Sequence, residues 1–317
     1  MTLTKDWDKT FARDETVAHS KVTYSNRLGI ELTADLYLPR GFNPDTQYPA
    51  LVVGHPFGGV KEQTAGLYAQ TMATFGFVTL AFDASFNGES GGTARHCASP
   101  DVFVEDFSAS VDFLGIHPSV DRDRIGAIGV CASGAFVLAA AQIDPRIKAV
   151  ATSAMYDIGG VVRDGLGKTA TDEARAGMLQ AVGAQRWREA EGGAPFYVGA
   201  SDTLPDDADA VTREFFDYYR TPRGFHARSH SMSMTLAPSF FQFRPFDHLN
   251  TLAPRPLLMI TGEVAHSRYF TEDAFAAAAE PKEMIVVPGA GHVDLYDRVD
   301  LIPWDRLQTF FTRTLAA

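Results

Sequence analysis

Short apolar runs alternate with helix-patterned stretches along most of the chain. The runs at residues 48–54 (YPALVVG), 77–82 (FVTLAF), 125–130, 147–155, 256–261 and 283–287 have strand length and little polar interruption. Between and after them, residues 65–75, 102–114, 134–142, 272–279 and 304–315 place apolar residues at helical spacing. Two earlier segments, 17–25 and 30–38, read as strands joined by a turn at 26–29. Continuous apolar strands that are bounded by turns and separated by helices belong to a sheet covered on both faces. The pattern predicts a doubly wound, mostly parallel α/β fold.

The rhythm breaks at residues 158–255, a stretch far longer than a connection inside such a fold needs. Parts of it, 171–188 and 208–219, have helical character, and it is rich in aromatics, among them Phe196, Tyr197, Phe215, Phe216, Tyr219, Phe240 and Phe243. The expectation is an inserted, largely helical cap over one end of the sheet, with residues 1–157 and 256–317 forming the core. Most of the aromatics would build the cap's own core, and a few would face a ligand cavity.

Composition narrows the classes of partner. The chain has 317 residues, 45% hydrophobic and 21% charged, with a net charge of −11. That balance argues against nucleic acid, which needs a basic face, and against anionic membrane surfaces. No apolar run approaches the ~20 residues of a membrane span, and the N-terminal stretch is polar throughout. The expectation is a soluble cytoplasmic protein with no nucleic-acid or membrane partner; monomer and homodimer are both left open. Two cysteines, Cys97 and Cys131, are too few for a disulfide framework or a four-cysteine zinc site. A lone cysteine is most simply a small buried hydrophobe. Cys97 sits in a polar loop that offers nothing more, whereas Cys131 has a context that does.

That context is Arg124-Ile-Gly-Ala-Ile-Gly-Val-Cys131-Ala-Ser-Gly-Ala-Phe136. A strand runs into a small-x-Cys-x-small turn and on into a helix of small residues. A sharp strand-to-helix turn pushes its central side chain out at the top of a sheet, and the residues two before and two after must be small. Here they are Gly129 and Ser133. The following helix aims its positive end at the thiol, which favours a thiolate over the free pKa of about 8.5. Ser133 is a rival centre, since Cys131-Ala-Ser133-Gly-Ala135 also fits the pattern. The apolar strand ends at Val130, which centres the turn on Cys131.

This segment resembles the α/β-hydrolase superfamily, and within it the dienelactone hydrolases, whose elbow reads Gly-x-Cys-x-Gly-Gly. Ser133 replaces the first trailing glycine. The long insertion makes the chain more similar to cap-bearing polyketide-transferase-like relatives. The resemblance implies that the loop His55-Pro-Phe-Gly-Gly59 supplies one oxyanion donor and the residue after the nucleophile the other. Pro56 has no N–H, so the pair is Phe57 and Ala132. It also implies structural roles for Asp83 and Gly88, and a catalytic histidine after the last strand, where Ile285-Val-Val-Pro-Gly-Ala-Gly-His292 fits. His226 and His230 share a helical spacing, but no carboxylate pattern accompanies them and no metal site is read there.

The triad acid stays open. Its usual slot after the penultimate strand falls on Ala265 or His266. Asp157, just past the strand at 147–155, and Glu263, at the strand end, are the candidates, with Asp157 preferred. A cysteine needs less activation than serine, so a weak third member is tolerable. The function expected is hydrolysis of a carboxylic ester, lactone or thioester through an acyl-cysteine, with no cofactor. The alternatives are acyl transfer at the same site and a non-catalytic binding protein on this fold. The aromatics, with Met232 and Met234, suggest a small-molecule hydrophobic or aromatic acyl substrate.

Overall fold

The computed structural model describes residues 3, 4, 6–199 and 203–316. In chain order, β1 (Ala18–Ser25) and β2 (Glu31–Leu38) precede β3 (Tyr48–Gly54), α1 (Thr64–Thr74), β4 (Val78–Phe82), α2 (Pro100–Gly115), β5 (Val120–Val130), α3 (Ala132–Ile143) and β6 (Ala149–Ser153). The interval after β6 holds α4 (Ile158–Asp164), α5 (Asp172–Ala190), β7 (Tyr197–Val198), α6 (Ala210–Tyr219), β8 (Met232–Ser233) and α7 (Ala237–Phe241), with short 3-10 turns. The chain closes with β9 (Leu257–Gly262), α8 (Arg268–Ala277), β10 (Lys282–Val287), α9 (Asp294–Asp297) and α10 (Trp304–Thr314).

Eight strands form one sheet in the order β1-β2-β4-β3-β5-β6-β9-β10. β1–β2 and β2–β4 pair antiparallel, and every later pair is parallel. The fold is thus the mostly parallel α/β sheet that the apolar runs predict. Its central strands are buried on both faces: Leu51, Val52, Val53, Leu80, Ile128, Val130, Val150 and Ile260 have no exposed surface. The strand order reverses direction between β3 and β5, and such a switch point opens a crevice at the carboxyl ends of the strands. The loops that follow β3, β5, β6, β9 and β10 all emerge at that edge.

Two local readings are corrected, and one short pairing is added. β5 begins at Val120, not at 125, because its polar first half, Asp121 to Arg124, is partly solvated while Val120 already pairs with Tyr48. The two-residue strands β7 and β8 pair within the interval, too short to leave a pattern in sequence. His226 and His230 share no helical face: α6 stops at Tyr219, and a turn follows in which the Gly224 N–H bonds Thr221 O. A side chain at Gly224 would run into the Tyr218 ring at 2.5 Å, so this turn needs glycine there. His230 instead lies against His96, with ring centroids 3.8 Å apart and the rings tilted by 43°.

Candidate active site

Cys131 sits between β5 and α3 with φ 55° and ψ −124°, in left-handed space that a side-chain-bearing residue rarely occupies. Such a residue costs of order 1–3 kcal/mol and persists only where its surroundings enforce it. Here they do. The Cys131 N–H bonds Ser153 O at 3.0 Å, and its carbonyl accepts from Gly134 N at 2.9 Å and Tyr156 N at 3.0 Å. Gly129 is small by necessity, since a Cβ there would lie 2.1 Å from Ser133 O. The turn therefore centres on Cys131. Ser133 lies in the first turn of α3, and its hydroxyl donates to His55 O at 2.5 Å, tying the elbow to the loop after β3.

That loop brings Phe57 to the elbow. The backbone amides of Phe57 and Ala132 and the hydroxyl of Tyr296 lie around the Cys131 sulfur and favour its thiolate. The two amides are the pair expected from sequence. His55 holds the loop in place: its Nε2 accepts from Ala84 N at 3.0 Å and its Nδ1 faces Pro56 O at 2.8 Å. Asp83 does the same from the loop after β4. It accepts from the amides of Lys61 and Glu89, both at 2.8 Å, while a Cβ at Gly88 would collide with its carboxylate. The buried Lys61 ammonium lies 2.6 Å from Glu62 and 2.7 Å from both Asp83 and Glu89, filling with its own charge the centre of that acidic cluster.

The thiol is 4% exposed, and burial raises its pKa, outweighing the Tyr296 hydroxyl and the Phe57 and Ala132 amides, which lower it. The expectation that the helix end favours a thiolate is thus overridden at rest by desolvation. His292 follows β10 and is fully buried. Burial, and secondarily the neighbouring His266, hold its pKa well below the ordinary imidazole value. Thiol and imidazole are both neutral in the resting site.

Neither expected carboxylate orients the imidazole. His292 Nδ1 meets Ser267 Oγ at 2.6 Å and His292 Nε2 meets Tyr296 Oη at 2.9 Å, so both ring nitrogens are taken. Asp157 turns into the first turn of α4. Its carboxylate faces the Gly159 and Gly160 amides, with an Arg163 nitrogen 3.6 Å away, and burial raises its pKa. Glu263 accepts from the Gly289 amide at 2.8 Å, pinning the β10 loop to the β9 loop. Ser267, two residues past Ala265 in the same loop, is the side chain that meets Nδ1 instead. Tyr296 was legible in principle, because four residues after His292 places it on the same side of the turn that becomes α9.

A second layer reaches this loop from the interval after β6. Glu214 of α6 accepts from Val293 N at 3.0 Å with one oxygen and lies 3.0 Å from His266 Nδ1 with the other. The His266 ring in turn lies 4.9 Å from that of His292.

Cys131 opens onto a cavity of about 540 Å³. Phe57, Tyr156, Ile158, Leu204, Phe215, Phe216, Tyr219 and Met232 give it a mainly apolar wall, and Arg220 and His230 reach it. Most of these residues come from the interval after β6. Met234 takes no part in the wall; it opens a 3-10 turn, its N–H bonded to Phe196 O at 2.8 Å.

A strained cysteine elbow, two convergent amides, a histidine after the last strand and this strand order define the fold and site of an α/β hydrolase. The Dienelactone hydrolase family model matches residues 35–156, which span β2 through the elbow to the end of β6. The chain is 51% identical to the uncharacterized protein PA2218 of Pseudomonas aeruginosa, over 99% of this chain and 85% of that one. The crystal structure of that protein superposes with a TM-score of 0.96 over 99% of this chain and 98% of the other. Identity to the uncharacterized protein YcjY of Escherichia coli is 35%, over 87% of this chain and 91% of that protein. A shorter match, 34% identical over 43% of this chain and 42% of the other, is to the thiohydrolase aneE of Aspergillus aculeatus. The chain belongs to the α/β-hydrolase superfamily. Among the described residues no helix is long and apolar enough to cross a membrane.

Proposed function

We propose that the protein cleaves thioesters or esters of an apolar acyl group through an acyl-Cys131 intermediate, with residues 158–255 acting as a cap that shapes the acyl pocket. The observation that carries this is the Cys131 sulfur, held at a strained elbow, facing an apolar cavity and met by the Phe57 and Ala132 amides. In the first half-reaction the sulfur adds to the substrate carbonyl, and the thiol proton passes to His292. The oxyanion takes the two amides. Collapse breaks the carbonyl bond to the leaving group, which departs with the proton. Water then adds to the acyl-thioester, giving up a proton to His292, and collapse releases the acid and restores the thiol.

The lack of a carboxylate on the imidazole favours thioesters over esters. A thiolate leaves as a base of pKa about 8.5 and needs little protonation, whereas an alkoxide needs a full proton from His292. The relative described as a thiohydrolase agrees with this reading. Acyl transfer is a second outcome of the same intermediate, favoured by the apolar wall, which shelters the acyl group from water until an alcohol or amine enters.

The test is a pre-steady-state burst with p-nitrophenyl esters and with aromatic and alkyl acyl thioesters, together with mass spectrometry of the protein. An acyl mass increment on Cys131, absent together with the burst in Cys131→Ala, supports the proposal. A full burst in Cys131→Ala overturns it. Ligand binding without any acyl adduct points to a non-catalytic receptor.

A further inference from the structure

We infer that Glu214 of α6 is a positioning residue for His292: its carboxylate ties together the two loops that carry the Ser267–His292 pair. The inference rests on the reading of His292 as the base of the acyl-Cys131 cycle and adds what holds that base in place.

Ser267 and His292 come from different loops, after β9 and after β10, and their 2.6 Å contact depends on the distance between those loops. Near the strands the loops are already joined: Val264 N donates to Ala290 O at 3.1 Å, and Glu263 accepts from Gly289 N at 2.8 Å. Farther out, Glu214 joins them. One of its oxygens accepts at 3.0 Å from the N–H of Val293, the residue after His292. The other lies 3.0 Å from Nδ1 of His266, the residue before Ser267. A single carboxylate thus grips the chain neighbours of both members of the pair. An ionised carboxylate only accepts, so His266 donates from Nδ1. Gly291 makes room for this approach, since a Cβ there would lie 2.7 Å from Glu214 Oε1.

The helix that delivers this carboxylate is itself fixed. Tyr218 of α6 is buried, its hydroxyl lies 2.9 Å from Thr64 Oγ1 of α1, and its ring packs edge-on against Tyr296, with centroids 5.0 Å apart. Phe215, next to Glu214, lies against the His266 and His292 rings at centroid distances of 5.5 and 5.4 Å. Just past α6, Arg223 donates to Val293 O at 3.2 Å and to Asp297 at 2.8 and 3.0 Å. These Arg223 bonds lie on the β10 side, so they secure the His292 loop without setting its distance from Ser267. A carboxylate suits the place of Glu214 because both of its oxygens accept, one for each loop.

Because α6 also gives Phe215, Phe216 and Tyr219 to the cavity wall, the alternative is that Glu214 only steadies the acyl pocket. Glu214→Ala in the full chain, assayed with p-nitrophenyl acetate and with longer acyl esters, separates the two, because an acetyl group is too small to need that wall. Positioning predicts an acylation burst about 10-fold slower or more with every ester, acetate included, since a misplacement of about 1 Å can cost ~10²-fold. The half-saturating ester concentrations should stay within a few-fold of native. It also predicts a spectroscopic change. The His292 ring nitrogen NMR signals, assigned by their loss in His292→Gln, should move from those of one tautomer toward an average of two. A native acetate burst overturns the inference, as does a loss confined to longer esters and their half-saturation, or an unchanged pair of His292 ring signals. If Glu214→Ala does not fold, Glu214→Asp replaces it: one methylene shorter, it cannot span both donors, and the same outcomes decide. The acyl-cysteine reading fails separately, through a burst that survives in Cys131→Ala, while the ring signals still test Glu214.

Discussion

Ser267 Oγ and His292 Nδ1 stand 2.6 Å apart with no exposed surface on either residue, in the place where the family's acid normally meets its base. A hydroxyl can fix the ring and its tautomer, but it brings no charge to offset an imidazolium. That difference governs the chemistry expected of the site.

Ser267→Ala should lower kcat while leaving KM nearly unchanged, since Ser267 is remote from the cavity wall. Leaving a buried ring nitrogen without its partner costs about 1–3 kcal/mol. The loss should be divided between stability, read by denaturant unfolding, and burst rate, read by stopped flow. An unchanged burst rate would show that ring packing alone orients His292.

The preference for Asp157 is reversed by its partners. Asp157→Asn should leave the burst rate within a few-fold of native, because the carboxylate addresses the α4 amides and Arg163. Its cost should fall on local stability, since the Asp157 carboxylate faces the first turn of α4. Glu263→Gln should behave likewise through the Gly289 loop. A burst lost only in Asp157→Asn would restore it as the acid.

The pH dependence of stability follows from His292. An ordinary imidazole titrates near pH ~6.5, and the folded value lies well below it. Above pH ~6.5 neither state of the chain protonates this ring and its contribution is complete. Below it the unfolded chain takes up a proton that the folded chain refuses, so stability falls as pH drops. Asp106, pushed up to about 6 by burial, acts in the opposite sense, losing stability as pH rises toward that value. Comparing native protein with His292→Gln by urea unfolding between pH 5 and 8 isolates the histidine. The acid-side slope should flatten by up to about 1.4 kcal/mol per pH unit in the variant.

Much of this was legible in sequence, and the remainder has identifiable physical causes. The parallel sheet could be read from the runs at Tyr48–Gly54 and Val78–Phe82, because strands buried on both faces carry few polar residues, and those only with a partner, as Thr79 has in Ala69 O. The elbow could be read because Gly129 leaves no room for a Cβ. The partner of His292 could not. A hydroxyl and a carboxylate serve the same hydrogen bond at different loop offsets, and only the path of the backbone after β9 decides which side chain arrives. Tyr296 left only its four-residue spacing from His292 as a signal: a buried tyrosine is usually core, and α9 is too short to leave a periodic pattern. The neutral state of Cys131 depends on burial by residues far away in sequence, which a motif cannot report.

The deepest consequence of Ser267 is tested by changing nucleophile and partner together. A serine nucleophile has a far higher pKa than a thiol and depends on a base that can hold positive charge. Cys131→Ser alone should fold and bind but lose most of its burst, because the His292 imidazolium has only a hydroxyl beside it. Ser267→Asp alone brings a carboxylate to Nδ1, which favours imidazolium. It should raise the rate of Cys131 alkylation by iodoacetamide at neutral pH, where the resting thiol is sluggish. The Cys131→Ser/Ser267→Asp double variant should then recover part of the activity lost in Cys131→Ser, giving a coupling energy of about 0.5–3 kcal/mol between these two residues. Strictly additive losses would mean that the imidazole is not charged in the transition state, and that the thiol loses its proton by another route.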